Sequence, residues 1–341
     1  MNKILKLLNP KIGVDLGTVN CLVVNSDKEV LLNEPTVVAV LKDTREIIAI
    51  GEEAYDMLGK TPENVETVRP LYNGAIANYT YTEQMLSFFI SKSLSRFRII
   101  KPDILISIPA GATSVEYRAV IDAAMSAGAK NSYLVPEPLA AAIGADLPIF
   151  SPTGNLIVNI GGGTSEIAVV SLGGIVSKKS VRTAGNKMDE YIINYIRKNH
   201  GLIIGVKTAE KLKIKIGSAI KIGKTKEKQV EVRGRDIANG MPKNVIITTN
   251  EIAEAIEVPL KEILIGIREV LEQTSPELAS DILDKGMVLS GGSALLNNLD
   301  EYITLKTGIP AVIAENPLFS VINGLSEILN NLKYFERSLI K

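Results

Sequence analysis

The chain has 341 residues, which implies about two domains of ~150 residues each, each long enough to bury its own core. Lys plus Arg and Asp plus Glu balance at 38 each, so no global field would recruit nucleic acid. One Cys excludes a disulfide framework and points to a reducing compartment, while one His argues against a histidine-based metal site or a Ser-His-Asp triad.

The start, MNKILKLLNPK, is too short for a signal peptide. Ile4, Leu5, Leu7 and Leu8 with Lys3 and Lys6 suit one amphipathic turn, equally readable as a membrane foot or a frayed end. No apolar run reaches the ~18 residues that span a bilayer.

From residue 11 the chain reads KIGVDLGTVNCLVV: an apolar strand, an acid, a Gly/Thr turn and a second strand. The plan returns as LIVNIGGGTSEIAVV at 156–170, with Asp15 lying over Asn159 and Gly17 over Gly161. Two such hairpins suggest two related domains, each presenting a turn to a shared cleft. Between them, ILISIPA at 104–110 reads as a buried strand. Residues 113–129 read as a helix with a Thr113 cap and Glu116 three residues later. SYLVPEPLAAAIGADL then gives a short strand, a Pro-Glu-Pro turn and an Ala-rich helix.

Further helices are predicted over 185–200, 208–216, 250–272, 276–284 and 318–332, with strands at 244–249 and 286–292. The alternation is that of an α/β fold. An insert over about 186–249 is locally basic, which reads first as a solvated face. His200, the single histidine, reads as a surface residue.

DLGT at 15–18 and NIGGGT at 159–164 have the make-up of phosphate cradles, because small residues let backbone N–H groups approach phosphate oxygens and Thr adds a hydroxyl. One such turn is a weak signal, since glycine turns are common structural elements; two in register are more specific. SGGSALL at 290–296 adds a glycine pair ahead of a helix, which suits an anion or the edge of a nucleotide. The chain has no GxxxxGK[ST] segment, and no GxGxxG follows its first strand, which sets aside a P-loop enzyme and weakens a dinucleotide reading.

KIGVDLGTVNCLVV, LNEPTVVAV, ISIPAGATSVEYRAV, VPEPLAAAIGADL, PTGNLIVNIGGGTSEIAVVSL, TAEKLKIKIGSA and MVLSGGSALLNNLDEYI occur in the order, and closely in the wording, of the MreB family of bacterial actins. The chain resembles that family over roughly residues 11–332. The resemblance implies an actin-like fold of two RNase H-like domains around a nucleotide cleft. Residues 1–145 plus 318–341 would form one domain, with a small subdomain at about 33–68. Residues 146–317 would form the other, with a small subdomain at about 186–249.

It further implies ATP/ADP and Mg²⁺ as cofactors. Asp15, Gly17, Thr18, Val19 and Asn20 would form one phosphate turn, and Gly161, Gly162, Gly163 and Thr164 the other. Glu210 and Lys213, on one helix face by their i, i+3 spacing, would contact the nucleoside, though an ordinary ion pair has the same spacing. Gly291, Gly292, Ser293 and Ala294 would hold the adenine side. Glu137 would orient the attacking water, with Thr164 and Ser165 near the transferred phosphate; taken by itself, Glu137 also suits a helix N-terminus.

The resemblance also implies head-to-tail polymerisation into antiparallel filament pairs on the inner face of the membrane, which determine cell shape. The partners would be other copies of the chain, paralogues and membrane proteins of the family type, with no nucleic acid. The loop SLSRFRIIKP at 93–102 would insert Phe97, Ile99 and Ile100 into the membrane.

Departures from the family pattern matter most at the cleft. Asn159 stands where the family has an Asp that helps hold the waters around Mg²⁺, and Asn186 stands where an acid is usual. An amide keeps one acceptor oxygen and loses the charge. Asp15, with Asn159 acting through water, would face the metal. Slow ATP hydrolysis is one expectation and near-normal turnover the other. A weakly hydrolysing, co-assembling subunit, for example in the shape or motility of a wall-less helical bacterium, is the alternative function. A sugar or acetate kinase on the same fold is a further one, for which no substrate-recognition insert is visible.

Overall fold

The computed structural model describes residues 10–72, 74–94, 100–336 and 339–340. Two five-stranded sheets carry these residues, and their strand orders match. In the first, Lys11–Leu16 runs antiparallel to Asn20–Asn25, which pairs with Val30–Pro35; its other edge runs parallel to Asp103–Ile108, followed by Asn131–Pro136. In the second, Asn155–Ile160 runs antiparallel to Ser165–Ser171, which pairs with Gly174–Val181; its other edge runs parallel to Met287–Ser290, followed by Ala311–Ile313.

The inner strands are apolar because both faces of each sheet are covered by helices. Every residue of Asp103–Ile108 and of Asn155–Ile160 is buried. Small three-stranded sheets flank the large ones: Ile47–Ile50, Val38–Leu41 and Val65–Val68 in the first half, and Leu202–Ile203, Gln229–Asp236 and Pro242–Thr248 in the second.

Each half has its own core. Ile12, Val14, Phe89 and Ile104 belong to one; Leu156, Val158, Met188 and Leu289 belong to the other. A third cluster joins the halves, packing Leu105 and Val135 of the first sheet and Ile157 and Ala168 of the second around the helices Glu137–Gly144 and Ser320–Asn330. These helices carry the chain across the seam and back, and they touch backbone to backbone. A Cβ on Gly144 would stand 1.8 Å from the Ser320 carbonyl oxygen, and one on Gly324 1.9 Å from that of Ala140. Only glycine permits that approach.

The expected helix over 113–129 is Ser114–Ser126, and its capping box is present, with Thr113 and Glu116 each bonding the other's backbone N–H. The helix predicted at 185–200 is Gly185–His200. The single helix predicted over 250–272 is two, Thr249–Ala255 and Glu257–Glu272, broken at Ile256 with Pro259 in the first turn of the second, where its missing N–H has no consequence. Helix Tyr79–Ser93 was not anticipated: YTYTEQ begins with residues that favour strands, and the Asn78 side chain starts the helix by accepting from Tyr81 N. His200 is not simply a surface residue. Its Nε2 lies 2.6 Å from Glu251 Oε1, which fastens the end of one helix to the capping box at Thr248.

Candidate functional site

The matched hairpins bring their turns edge to edge across a cleft of about 490 Å³. Asp15, Gly17, Thr18, Val19 and Asn20 line it from the first half; Gly161, Gly162, Gly163 and Thr164 line it from the second. The contact requires glycine: a Cβ on Gly162 would lie 2.0 Å from Val19 Cγ2, and one on Gly163 2.5 Å from Thr18 Oγ1. The Gly161 carbonyl accepts from Gly185 N (3.2 Å) and Ser293 Oγ (2.7 Å), and that of Gly162 from Asn186 N (2.8 Å). Because peptides are trans, the N–H groups of Gly162 and Gly163 point away from that helix, as donors available to an anion.

Both hairpins end on the same device. Asp15 is in register with Ser107 on the neighbouring parallel strand and accepts from its Oγ at 2.6 Å. Asn159 is in register with Ser290 and accepts from its Oγ at 2.9 Å. The amide then does what an ionised acid cannot: its Nδ2 donates to Glu137 Oε1 at 2.6 Å. Asn159 thus spends one acceptor site of its oxygen on the Ser290 hydroxyl and turns its amide to Glu137 as a donor, which leaves the oxygen one further lone pair for a water.

Carboxylates crowd the floor. Burial lifts Asp15 to about 6, with the Ser107 hydrogen bond pulling the other way. Glu137 is raised well above the ordinary range by burial, then by the charges of Asp15 and Glu166, while Asn159 pulls it down. Sequence reasoning missed Glu166. It is fully buried, accepts from Ala110 N (2.9 Å) and Ser180 Oγ (2.6 Å), and is raised by burial. A charged residue inside the apolar run SEIAVVS is the signal that could have found it. A cation held by one or two carboxylates together with ligand phosphates suits Asp15 and Glu137 at this floor.

The other wall holds Glu210 and Lys213 on the helix Val206–Ile216. Lys213 pairs with Asp189 at 2.9 Å and donates to the Gly185 carbonyl at 2.9 Å. Burial lifts Asp189 to about 6 against the pull of Lys213. Glu210 accepts from Tyr55 Oη at 3.2 Å, and Lys207 Nζ stands 3.8 Å over the Tyr55 ring while donating to the Tyr55 carbonyl. These contacts tie the two small subdomains together at the cleft mouth. Part of the basic insert thus reaches across the cleft rather than into solvent. Arg69, also missed, donates to the Thr18 carbonyl at 3.5 Å, its guanidinium pKa lowered by burial.

Gly291, Gly292 and Ser293 line the cleft, and Gly291 needs its positive φ of 85°. Ala294 does not line it, being fully buried behind the loop. Ser165 is also outside the lining: it opens a strand, is fully buried, and spends its Oγ on the Thr183 carbonyl at 2.6 Å. Glu137, Thr164 and Asn186 do line the cleft. Phe97 and Ile99 lie outside the described residues, and Ile100 is half-buried just before the strand at 103. Among the described residues, no helix is long and apolar enough to cross a membrane, and no three His, Cys, Asp or Glu residues group to hold a metal by themselves.

A family model described as MreB/Mbl protein matches residues 9–337. Cell shape-determining protein MreB of Escherichia coli K12 is 46% identical over 329 residues, covering 95% of this chain and 94% of that one. Cell shape-determining protein Mbl of Bacillus subtilis is 43% identical over 321 residues, covering 94% and 96%. The crystal structure of MreB5 of Spiroplasma citri bound to ADP superposes with a TM-score of 0.90 at 37% identity, covering 97% of this chain and 99% of that one. The same protein bound to AMPPNP gives 0.90 at 36%, covering 96% and 98%. With the matched sheets, the crossing helices and the paired glycine turns, these likenesses make the chain a member of the MreB/Mbl family of actin-like proteins.

Proposed function

We propose that this chain binds ATP and ADP with Mg²⁺ in the cleft and polymerises, in its closed form, into antiparallel filament pairs on the inner membrane face that set cell shape. The observation that carries the nucleotide reading is the pair of glycine turns meeting above two carboxylates. Backbone N–H groups of the turns and the Thr18 and Thr164 hydroxyls would take the phosphates, and Glu210 and Lys213 the ribose side. Asp15 and Glu137 would face the metal, whose charge offsets that of the phosphates. Likeness to a protein seen with ADP and with AMPPNP supports the same reading.

Hydrolysis in this chain is slow on this reading, because the base is restrained. Glu137 would align a water and accept its proton, yet one of its oxygens holds the Asn159 amide at 2.6 Å. That hydrogen bond makes the carboxylate a weaker base and anchors its orientation. The same contact favours a second reading, a slowly hydrolysing subunit that co-assembles with a faster paralogue. Phosphate release and pelleting, wild type against Asn159→Asp, test both. Slow release restored by the substitution, with both proteins pelleting, supports the restrained base. Wild-type turnover already equal to that of Asn159→Asp removes it, and failure to bind nucleotide removes the reading as a whole.

A further inference from the structure

The second sheet carries a row of polar side chains that the first does not repeat. Ser290, Asn159, Glu166 and Ser180 are register partners on neighbouring strands, so their side chains share one face of the sheet. Ile157 and Ala168 lie two residues along from Asn159 and Glu166, hence on that face, and both belong to the cluster that joins the halves. Glu166 therefore looks onto the seam. In the sister hairpin, the residue paired with Asp15 is Leu22. The scaffold accepts an apolar residue at this position, so the sheet itself does not call for the acid, and burying a carboxylate is costly unless its bonds are made.

Both oxygens of Glu166 are committed. Oε1 takes the Ser180 hydroxyl at 2.6 Å, from the next strand of its own sheet, and Oε2 takes Ala110 N at 2.9 Å, from the other half. Glu166 is 0% exposed and Ala110 3%. Parting the halves here leaves a carboxylate oxygen and an N–H without partners until water enters. The contact also sits between two residues of the cleft lining, Pro109, just before Ala110, and Thr164, two residues before Glu166. The walls are pressed together at this point. A Cβ on Gly111 would lie 2.9 Å from Ser180 Cβ, and one on Gly74 2.9 Å from both Pro109 Cγ and Thr164 Cγ2. Gly74 N in turn donates to Thr18 Oγ1 at 3.1 Å.

We propose that Glu166 is a positioning residue of the cleft, a clasp across the seam that sets the spacing of the Thr18 and Thr164 turns and holds the walls closed on a nucleoside di- or triphosphate. It acts through the loop at 109–111. The effect on the ligand rests on the nucleotide reading, whereas the clasp itself belongs to the nucleotide-free chain. Glutamine at this position keeps the clasp: its oxygen accepts from Ala110 N, and its Nε2 donates to Ser180 Oγ, which accepts as well as donates. Leucine fills the same space and accepts from neither.

The test compares Glu166→Leu and Glu166→Gln with wild type in the full-length protein. One readout is release of a fluorescent ADP analogue with Mg²⁺; the other is hydrogen exchange over residues 104–112 without nucleotide. Glu166→Leu is expected to release the analogue about tenfold faster, the effect of one hydrogen bond to a charged group, and to lose protection in the segment that holds Ala110. Glu166→Gln is expected to stay within about twofold of wild type in both, because its amide satisfies the same partners. Gly111→Ala, on the exposed side of the loop, leaves the acid in place and is expected to speed release by pushing the loop from Ser180; it carries the test if Glu166→Leu does not fold. Release from Glu166→Leu, or failing that from Gly111→Ala, at the wild-type rate overturns the proposal, as does release from Glu166→Gln as fast as from Glu166→Leu. Protection lost evenly along the chain marks general destabilisation and also overturns it. If wild type does not bind the analogue, the nucleotide reading is lost and the exchange decides the clasp. Protection lost in Glu166→Leu and kept in Glu166→Gln then supports it, and equal exchange in all three proteins overturns it.

Discussion

The two hairpins that meet in the cleft are copies of one scaffold with different heads. Asp15 and Asn159 occupy equivalent strand ends, and each accepts from a serine in register on the neighbouring parallel strand, Ser107 or Ser290. The first head is an acid that, once ionised, can only accept; the second is an amide that accepts on one side and donates to Glu137 on the other at any pH. The duplicated backbone therefore gives one wall a buried carboxyl group and the other an amide hydrogen-bonded to Glu137. A single change of oxygen for nitrogen separates the two roles, because the scaffold holds both heads in the same place.

The largest expected effect lies in the seam on which both copies depend. Gly324→Ala forces a methyl into the Ala140 carbonyl, and urea titration is expected to show a loss of roughly 3 kcal/mol or more. A loss under about 1 kcal/mol would mean that the helices can part, and that the hairpins are not held on one rigid frame.

The heads themselves come next. Between its ordinary 3.8 and the value of about 6 set by burial, the folded nucleotide-free chain keeps a proton on Asp15 that the unfolded chain has released. Stability therefore falls as pH rises from about 4 to 6, and the Asp15 part of that fall is about 3 kcal/mol at most. Asp15→Asn, which makes the two heads alike, is expected to reduce the slope, leaving the shares of Asp189, Glu137 and Glu166, which burial also raises. An unchanged slope would break the comparison at its acid.

The serines separate the heads more finely. Ser290→Ala strands a buried amide oxygen and is expected to cost about 2 kcal/mol without moving the pH profile. Ser107→Ala removes the bond that restrains Asp15, so its titration should shift upward. Equal pH behaviour in the two variants would show that the heads are not chemically distinct. The smallest effects test the symmetry outside the cleft. Thr113→Ala and Thr248→Ala each remove a capping box at a helix start, and each is expected to lower stability by ~1 kcal/mol in thermal or urea unfolding. A difference of severalfold would place more of the folding energy in one half.

Much of this arrangement is local and was legible. The two strand-turn-strand repeats, the capping box at Thr113 and the helix at Gly185–His200 follow from apolar periodicity and side-chain-to-backbone bonds within a few residues. The glycines of both turns could be assigned because only small residues tolerate such close approach. Ser165 could not be separated from Thr164 in sequence, since both offer a hydroxyl; alternation along a strand turns one into the Thr183 carbonyl. Glu166, Arg69 and Tyr55 are missing from the sequence reading because their partners lie far along the chain.

By itself the sequence determined the duplicated α/β plan, the positions of the phosphate-type turns and the family resemblance, all of which rest on short-range pattern. Tertiary structure alone decided that Asn159 bonds Glu137, 22 residues away, that Glu166 joins Asp15 and Glu137 in one buried acidic group, and that Tyr55 meets Glu210 across the mouth. The physical reason is that hydrogen-bond partners and burial, which set the direction of an amide and the charge of an acid, are properties of the space between segments and are not carried by any one of them.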